Sequence, residues 1–241
     1  MTRSRSTALA GLGAALLCNY WLLEWWLSER TDTPRSWISD LATRTEATSW
    51  RFQLLAILSG LAISAFAVLL LRVVAISPRI GTKWRPPVGG GAMIRRGLFA
   101  LLWAGAFATI AGAAPLSCPE GIEPSCTLAE DPLDVVHALA TGGEIVTTIL
   151  AFLLLGLGLG RSVLLFSPTG RRNAYGERAG RVTLVIGVVW VVLTAVTGLA
   201  YLSGDVNAVK GILQRASQIL FGTWLALLGF WIAQDHSAAP E

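Results

Sequence analysis

Of the 241 residues in the chain, 54% are apolar and only 14% are charged, whereas roughly a quarter of a soluble domain is charged. This composition excludes an ordinary water-soluble domain, because several separate apolar runs of about twenty residues could not all be hidden in one core. The net charge of +4 does not indicate nucleic-acid binding, because the basic residues fall in short loops and form no continuous stripe. We therefore expect an integral membrane protein whose main contact is the lipid bilayer.

Six apolar runs follow one another along the chain, each long enough to cross about 30 Å of hydrocarbon. They cover residues 7–28, 52–76, 97–116, 135–160, 182–203 and 212–233. The first run follows Arg3 and Arg5, but it is too long for a secretory signal and does not end in a small-residue cleavage site. The sequence thus predicts a single all-α domain over residues 1–241, a polytopic bundle of six transmembrane helices.

The distribution of charge predicts how these helices are oriented. The loops near 77–96 and 161–181 hold five basic residues each, which indicates that both face the cytoplasm. The segment 117–134 has five acidic residues and neither Lys nor Arg, so we place it outside. The segment 29–51 holds four arginines, but strict alternation from a cytoplasmic N-terminus also places it outside. Both termini are then expected in the cytoplasm.

Two of the three cysteines lie in the acidic outer segment. Cys118 and Cys126 are separated by seven residues that include two prolines and a glycine, and turns there allow a small loop to close. Disulfides persist in a compartment outside the cytoplasm. The alternative is a metal site, but zinc sites usually begin with a closer cysteine pair, and the chain has two histidines. We predict a Cys118–Cys126 disulfide, and neither a metal nor a cofactor.

Polar residues recur in the fourth apolar run at steps of three and four, which places them on one helix face. They are Asp134, His137, Thr141, Glu144 and Thr148. A charge at the centre of a membrane helix costs at least ~2.5 kcal/mol, so it needs a partner, a watery cavity or a neutral form. In the sixth run Arg215 lies at a depth similar to that of His137, which makes it a candidate counter-ion.

Two interpretations of these polar groups remain open. In the first, His137, Glu144 and Arg215 form a buried network that fixes helix register. In the second, they line a functional cavity that opens to the outside, where Glu144 carries protons and His137 relays them or binds a ligand. The candidate cluster comprises Ser39, Asp40, Asp134, His137, Thr141, Glu144 and Arg215.

The segment after the first run, Ser36-Trp-Ile-Ser-Asp-Leu41, places Trp37, Ile38 and Leu41 on one apolar side, and we expect it to lie along or dip into the bilayer surface. Together with the stretch Ala114-Pro-Leu-Ser-Cys-Pro-Glu-Gly121 and with His137, it resembles the bacterial membrane proteins grouped as the domain of unknown function 998 family. That family is distantly similar to multi-pass proteins of the damage-regulated autophagy modulator type.

The resemblance implies a six-helix bundle in the bacterial plasma membrane, with Ser39, Asp40 and His137 gathered on its non-cytoplasmic side. It implies no established activity. Neither a Gly-x-Ser-x-Gly elbow nor a His-Glu-x-x-His motif is present, so the sequence favours a non-enzymatic protein that binds a lipid or a membrane-protein partner.

Two other functions remain as alternatives. The first is an intramembrane lipid-modifying enzyme, with His137 as base or ligand and Asp40, Asp134 or Glu144 orienting it. The second is a small proton-coupled transporter that uses Glu144 and Arg215.

Overall fold

The computed structural model describes residues 3–28, 36–76, 90–119, 131–161, 174–203 and 209–237. Within these ranges seven α-helices follow one another: α1 (Arg3–Cys18), α2 (Glu24–Leu27), α3 (Ser49–Ile76), α4 (Gly90–Ala113), α5 (Pro132–Arg161), α6 (Ala174–Ser203) and α7 (Lys210–Ser237). Two short 3-10 helices cover Tyr20–Leu23 and Ser39–Ala42. No strand occurs in these ranges, and the prediction of an all-α fold is confirmed.

Several helices are long and apolar enough to cross a membrane. Four candidate spans lie within α3 to α6, over Ser49–Val74, Gly91–Ala113, Pro132–Gly160 and Glu177–Ala200. A fifth candidate is the pair Arg5–Cys18 and Tyr20–Leu27, which is bent by 55°. Within the described ranges α7 is not among these candidates, so the count is four or five where the sequence predicted six. A multi-pass membrane protein is thus confirmed, while six crossings remain a prediction.

The first predicted helix, over residues 7–28, is not continuous, and this part of the prediction is wrong. The helix breaks at Asn19, whose backbone N–H bonds to the carbonyl of Leu16 at 3.1 Å. The Asn19 side-chain amide donates to the carbonyl of Ala15 at 2.9 Å, replacing the bond that a continuing helix would supply. Asparagine competes with helical hydrogen bonding in this way, and the chain turns as a result.

The six long helices form a closed ring, in which each packs against its neighbours in sequence and α7 packs against α1. Glycines bring the backbones together where lipid offers no hydrophobic drive for association. A Cβ added at Gly60 of α3 would lie 2.6 Å from the carbonyl oxygen of Gly105 on α4. One added at Gly180 of α6 would lie 2.6 Å from the carbonyl oxygen of Gly156 on α5.

Residues 36–43, which we call the cap segment, cover one end of the ring. Ile38 and Leu41 are buried there against Trp21 and Phe52. The backbone N–H of Ile38 also donates to Oε1 of Gln214 on α7 at 2.7 Å. The expectation that this segment lies along the bilayer surface is therefore wrong, because its apolar side packs into the bundle. We call this the cap end of the ring.

Four buried aromatic side chains fill the ring toward its opposite end. Phe152 of α5 stacks on Trp224 of α7 with ring centroids 4.3 Å apart, and Trp190 and Phe221 pack around them. We call these four residues the aromatic floor. They belong to one apolar core that continues along the helices toward the opposite end. Because this part of the ring is densely packed, the space for a site lies between the aromatic floor and the cap segment.

Candidate functional site

A cavity of about 550 Å³ lies inside the ring between the cap segment and the aromatic floor. All six long helices contribute residues to its lining. Small-molecule sites usually enclose roughly 300–1,000 Å³, so this space is large enough for a ligand. The ring is thus packed toward one end and hollow toward the other.

One wall of the cavity is a row of polar side chains on α5. Asp134, His137, Thr141 and Glu144 all line it, in steps of three, four and three residues. At 1.5 Å per residue, the row descends about 15 Å from the cap end toward the middle of the helix. Thr148, the next residue on this face, is buried at 1% exposure and does not reach the cavity.

Asp134 holds the turn after α4 against the first turn of α5. One carboxylate oxygen accepts the backbone N–H of Ser117 at 2.7 Å, and the other accepts the Ser117 hydroxyl at 2.6 Å. The side chain is 1% exposed. Asp134 therefore fixes the shape of the cavity rim, with both of its oxygens already engaged.

His137 is oriented by the end of α4. Its Nδ1 lies 3.0 Å from the carbonyl oxygen of Ala111 and 2.9 Å from that of Ala114. Carbonyl oxygens only accept hydrogen bonds, so Nδ1 carries the proton, and in the neutral ring Nε2 keeps its lone pair. Because His137 lines the cavity, this arrangement offers a base or hydrogen-bond acceptor there.

Glu144 lines the deep part of the cavity, two helical turns or about 10 Å below His137. Within the described ranges its carboxylate makes no hydrogen bond and no ion pair. Two further polar atoms of the lining are buried without a hydrogen-bond partner in the described structure, Nε1 of Trp190 and Oγ1 of Thr194 on α6. These three polar groups thus lack hydrogen-bond partners in the part of the chain that the structure describes.

Arg215 lies behind the cavity wall and pairs with a different glutamate. Its Nη2 is 2.5 Å from Oε2 of Glu24, and both side chains are buried. Its Nη1 donates to the carbonyl oxygens of Ser36 at 2.9 Å and Gly211 at 3.1 Å. The guanidinium also lies over the ring of Trp21, at 5.6 Å from the centroid. The expected role of Arg215 as counter-ion to Glu144 is therefore wrong.

The two remaining candidates belong to the cap segment, and only one of them lines the cavity. Ser39 lines the cavity. Asp40 is buried, and its Oδ2 accepts the backbone N–H of Trp37 at 2.7 Å, which stabilises the turn of the cap segment. Of the seven residues in the predicted cluster, the structure brings Ser39 and the α5 row to the cavity and places Asp40 and Arg215 behind its walls.

Sequence reasoning missed the pairing of Glu24 with Arg215, although a signal was present. Glu24 and Arg215 carry opposite charges in two separate apolar runs, and such charges commonly pair. Cys118 is described, but its predicted disulfide partner Cys126 and the acidic loop between them lie outside the described residues. The disulfide therefore remains a prediction.

Membrane-crossing helices arranged as a ring around a cavity define a multi-pass α-helical membrane protein. Over residues 9–231 the chain matches the family model described as "Protein of unknown function (DUF998)". This match covers most of the chain, and the protein belongs to that family, as the motifs around the cap segment and His137 indicated. No curated protein and no solved structure matches the chain.

Proposed function

We propose that the protein binds a lipid or another amphiphile in the cavity of the helix ring. The observation that carries the proposal is the cavity itself, about 550 Å³ in volume, with Glu144 at its deep end and no partner for that carboxylate among the described residues. Apolar residues of several helices contribute to the lining as well, Ile63 and Ile145 among them. A ligand with an apolar body and a polar group fits such a lining, because buried polar atoms need hydrogen-bond partners.

The packing of α5 against α6 supports entry from the bilayer. Near the aromatic floor the helices touch, and a Cβ added at Gly187 would lie 2.7 Å from Phe152 Cβ. Near the cap end Gly142 of α5 and Gly198 of α6 both line the cavity and are exposed, and a Cβ added at either would meet nothing within 4 Å. We infer that the two helices part there and admit a ligand from the lipid.

We further propose that the chain crosses the membrane six times, with the cap end outside and both termini in the cytoplasm. The packing of α7 along α1 supports the sixth crossing. A Cβ added at Gly229 would approach the carbonyl oxygen of Thr7, and one added at Gly222 would approach Asn19. The two helices therefore run side by side over the same depth. Basic residues near the starts of α4 and α6, Arg95 and Arg181 among them, lie away from the cap end and support the orientation.

Native mass spectrometry of the protein purified in a mild non-ionic detergent tests the binding function. We expect a bound amphiphile in the wild type and its loss in Gly142→Phe, which fills the cavity from a position with open space for a side chain. Val146→Phe is the matched control, because it adds the same ring to an exposed position on α5 that does not line the cavity. Equal ligand content in all three proteins would overturn the proposal.

A second function, an intramembrane enzyme acting on the bound amphiphile, is favoured by one observation. The Nδ1 contacts leave Nε2 of His137 as a base in the cavity, the arrangement that general base catalysis requires. His137→Asn preserves a side-chain N–H donor and removes the base. Catalysis would be supported if the wild type changed the mass of a lipid in an added extract, while His137→Asn still bound the ligand but left the lipid masses unchanged. Unchanged lipid in the presence of the wild type would exclude it.

A further inference from the structure

The titratable residues around the cavity favour the binding of a positively charged ligand group. Those that line it are Asp134, His137, Glu144, Cys18 and Tyr20, and neither Lys nor Arg occurs among the lining residues in the described ranges. Asp134 is engaged by Ser117, and His137 contributes a lone pair. Glu144 is then the one lining carboxylate without a partner in the described structure. A carboxylate in a poorly solvated space requires a cation, a proton or hydrogen-bond donors.

The cationic side chains near the cavity at the cap end, Arg215 and Lys210, contact groups other than Glu144. Arg215 holds Glu24 at 2.5 Å and is 4% exposed, so the cap segment, α2 and the 3-10 helix that holds Trp21 enclose its guanidinium on the far side of the wall. Lys210 at the start of α7 places its Nζ 5.1 Å from the centroid of the Trp37 ring. Neither side chain lines the cavity. Neither Arg215 nor Lys210 therefore supplies a positive charge to Glu144.

Aromatic rings around the cavity suit a cation as well. Tyr20 and Trp190 contribute to the lining, as does Trp37, whose ring already has the Lys210 ammonium over one face. The faces of such rings attract ammonium groups, with a gain of about 0.5–2 kcal/mol depending on how far the cation is desolvated. A carboxylate combined with aromatic walls recognises an ammonium group better than it recognises an anion.

We infer that the ligand is a cationic amphiphile, whose amine or quaternary ammonium group pairs with Glu144 while its apolar chain occupies the rest of the cavity and the gap between α5 and α6. The inference rests on the proposed binding function and names its ligand class. An anionic amphiphile would place a second negative charge beside Glu144. A neutral alcohol would gain a hydrogen bond to Glu144 but leave the charge of the carboxylate uncompensated.

Three probes with the same chain and different head groups test this inference: dodecylamine, dodecanol and dodecanoate. Their affinities for the purified wild type are measured at pH 7 by native mass spectrometry over a concentration series. We expect dodecylamine, charged at that pH, to bind at least about tenfold more tightly than the other two, which corresponds to about 1.4 kcal/mol. Glu144→Gln should lower its affinity to that of dodecanol. Glu177→Gln, which removes an exposed carboxylate outside this cavity, should leave the preference unchanged.

The outcomes separate the ligand class from the binding function. If dodecanol or dodecanoate binds as tightly as dodecylamine, and Gly142→Phe prevents that binding, the cavity binds amphiphiles but the cationic class is wrong. If the preference for dodecylamine persists in Glu144→Gln, Glu144 is not its partner and the inference fails. If Gly142→Phe has no effect on any of the three probes, the binding function fails together with the ligand class.

Discussion

Two glutamates lie among the helices, Glu24 at the cap end and Glu144 at the deep end of the cavity, and their surroundings differ. Glu24 meets Arg215 at 2.5 Å in a wall closed by the cap segment and Trp21. Glu144 faces a cavity and has no partner within the described ranges. Removing a charge from water costs several kcal/mol unless a partner compensates it. The difference supports our proposal that Glu24 is part of the scaffold and that Glu144 binds a ligand.

Breaking the paired site should have the largest effect on stability. Arg215→Met leaves the Glu24 carboxylate buried without its cation, and we expect a loss of about 3–5 kcal/mol in the free energy of unfolding. Arg181→Met is the control, because its pair with Glu177 is 3.6 Å long and exposed at 75% and 46%, where such pairs contribute about 0–1 kcal/mol. Thermal unfolding of the purified protein measures both changes.

Glu144→Gln completes that comparison. Because no cation of the described chain loses its partner, we expect stability to stay the same or rise. A destabilisation as large as that of Arg215→Met would mean that Glu144 is a structural member of the bundle, and the distinction between the two glutamates would disappear.

The second prediction concerns why one region of the ring is hollow. On α6, Gly180 lies against the backbone of Gly156 and Gly160, whereas a Cβ at Gly198 would meet nothing within 4 Å. We expect Gly180→Ala to lower stability by about 1–3 kcal/mol, because the two helices must separate. Gly198→Ala should be neutral or stabilise by up to about 1 kcal/mol, since alanine is the better helix former. Equal losses in thermal unfolding would show that α5 and α6 are packed along their whole length.

The smallest expected effect belongs to a third acidic residue, outside the membrane-crossing segments. The Arg44 side chain hydrogen-bonds to Asp131, and this contact, with the backbone N–H of Leu133, holds the pKa of that carboxyl below its ordinary 3.8. A lowered carboxyl pKa contributes stability above the ordinary value, and the contribution is lost as pH falls through the lowered one. Because the pair is exposed, Arg44→Gln should lower the unfolding temperature slightly near pH 6, and the difference should shrink as the pH falls below about 3.8 and vanish below the lowered pKa. A difference that persisted at low pH would assign Arg44 another role.

The sequence predicted the features that depend on local composition. Helical class, membrane location and the polar face of α5 all follow from hydropathy and from spacing along one helix. The positions of Asp40 and Arg215 could not be predicted in this way, because they depend on how the cap segment folds between α1 and α7. The bend at Asn19 depends on a side chain replacing a single backbone bond, which hydropathy does not register.

The cavity and its orientation can be tested together by the accessibility of introduced cysteines. In a Cys18→Ala background, Thr141→Cys places a thiol in the cavity, and Ala151→Cys places one in the fully buried core below it. A membrane-impermeant maleimide is added to intact cells, and the labelled fraction is compared with that in the Cys18→Ala parent. We expect labelling of Thr141→Cys and none of Ala151→Cys. Labelling of Thr141→Cys only in inverted vesicles would contradict the orientation, and no labelling from either side would contradict the open cavity.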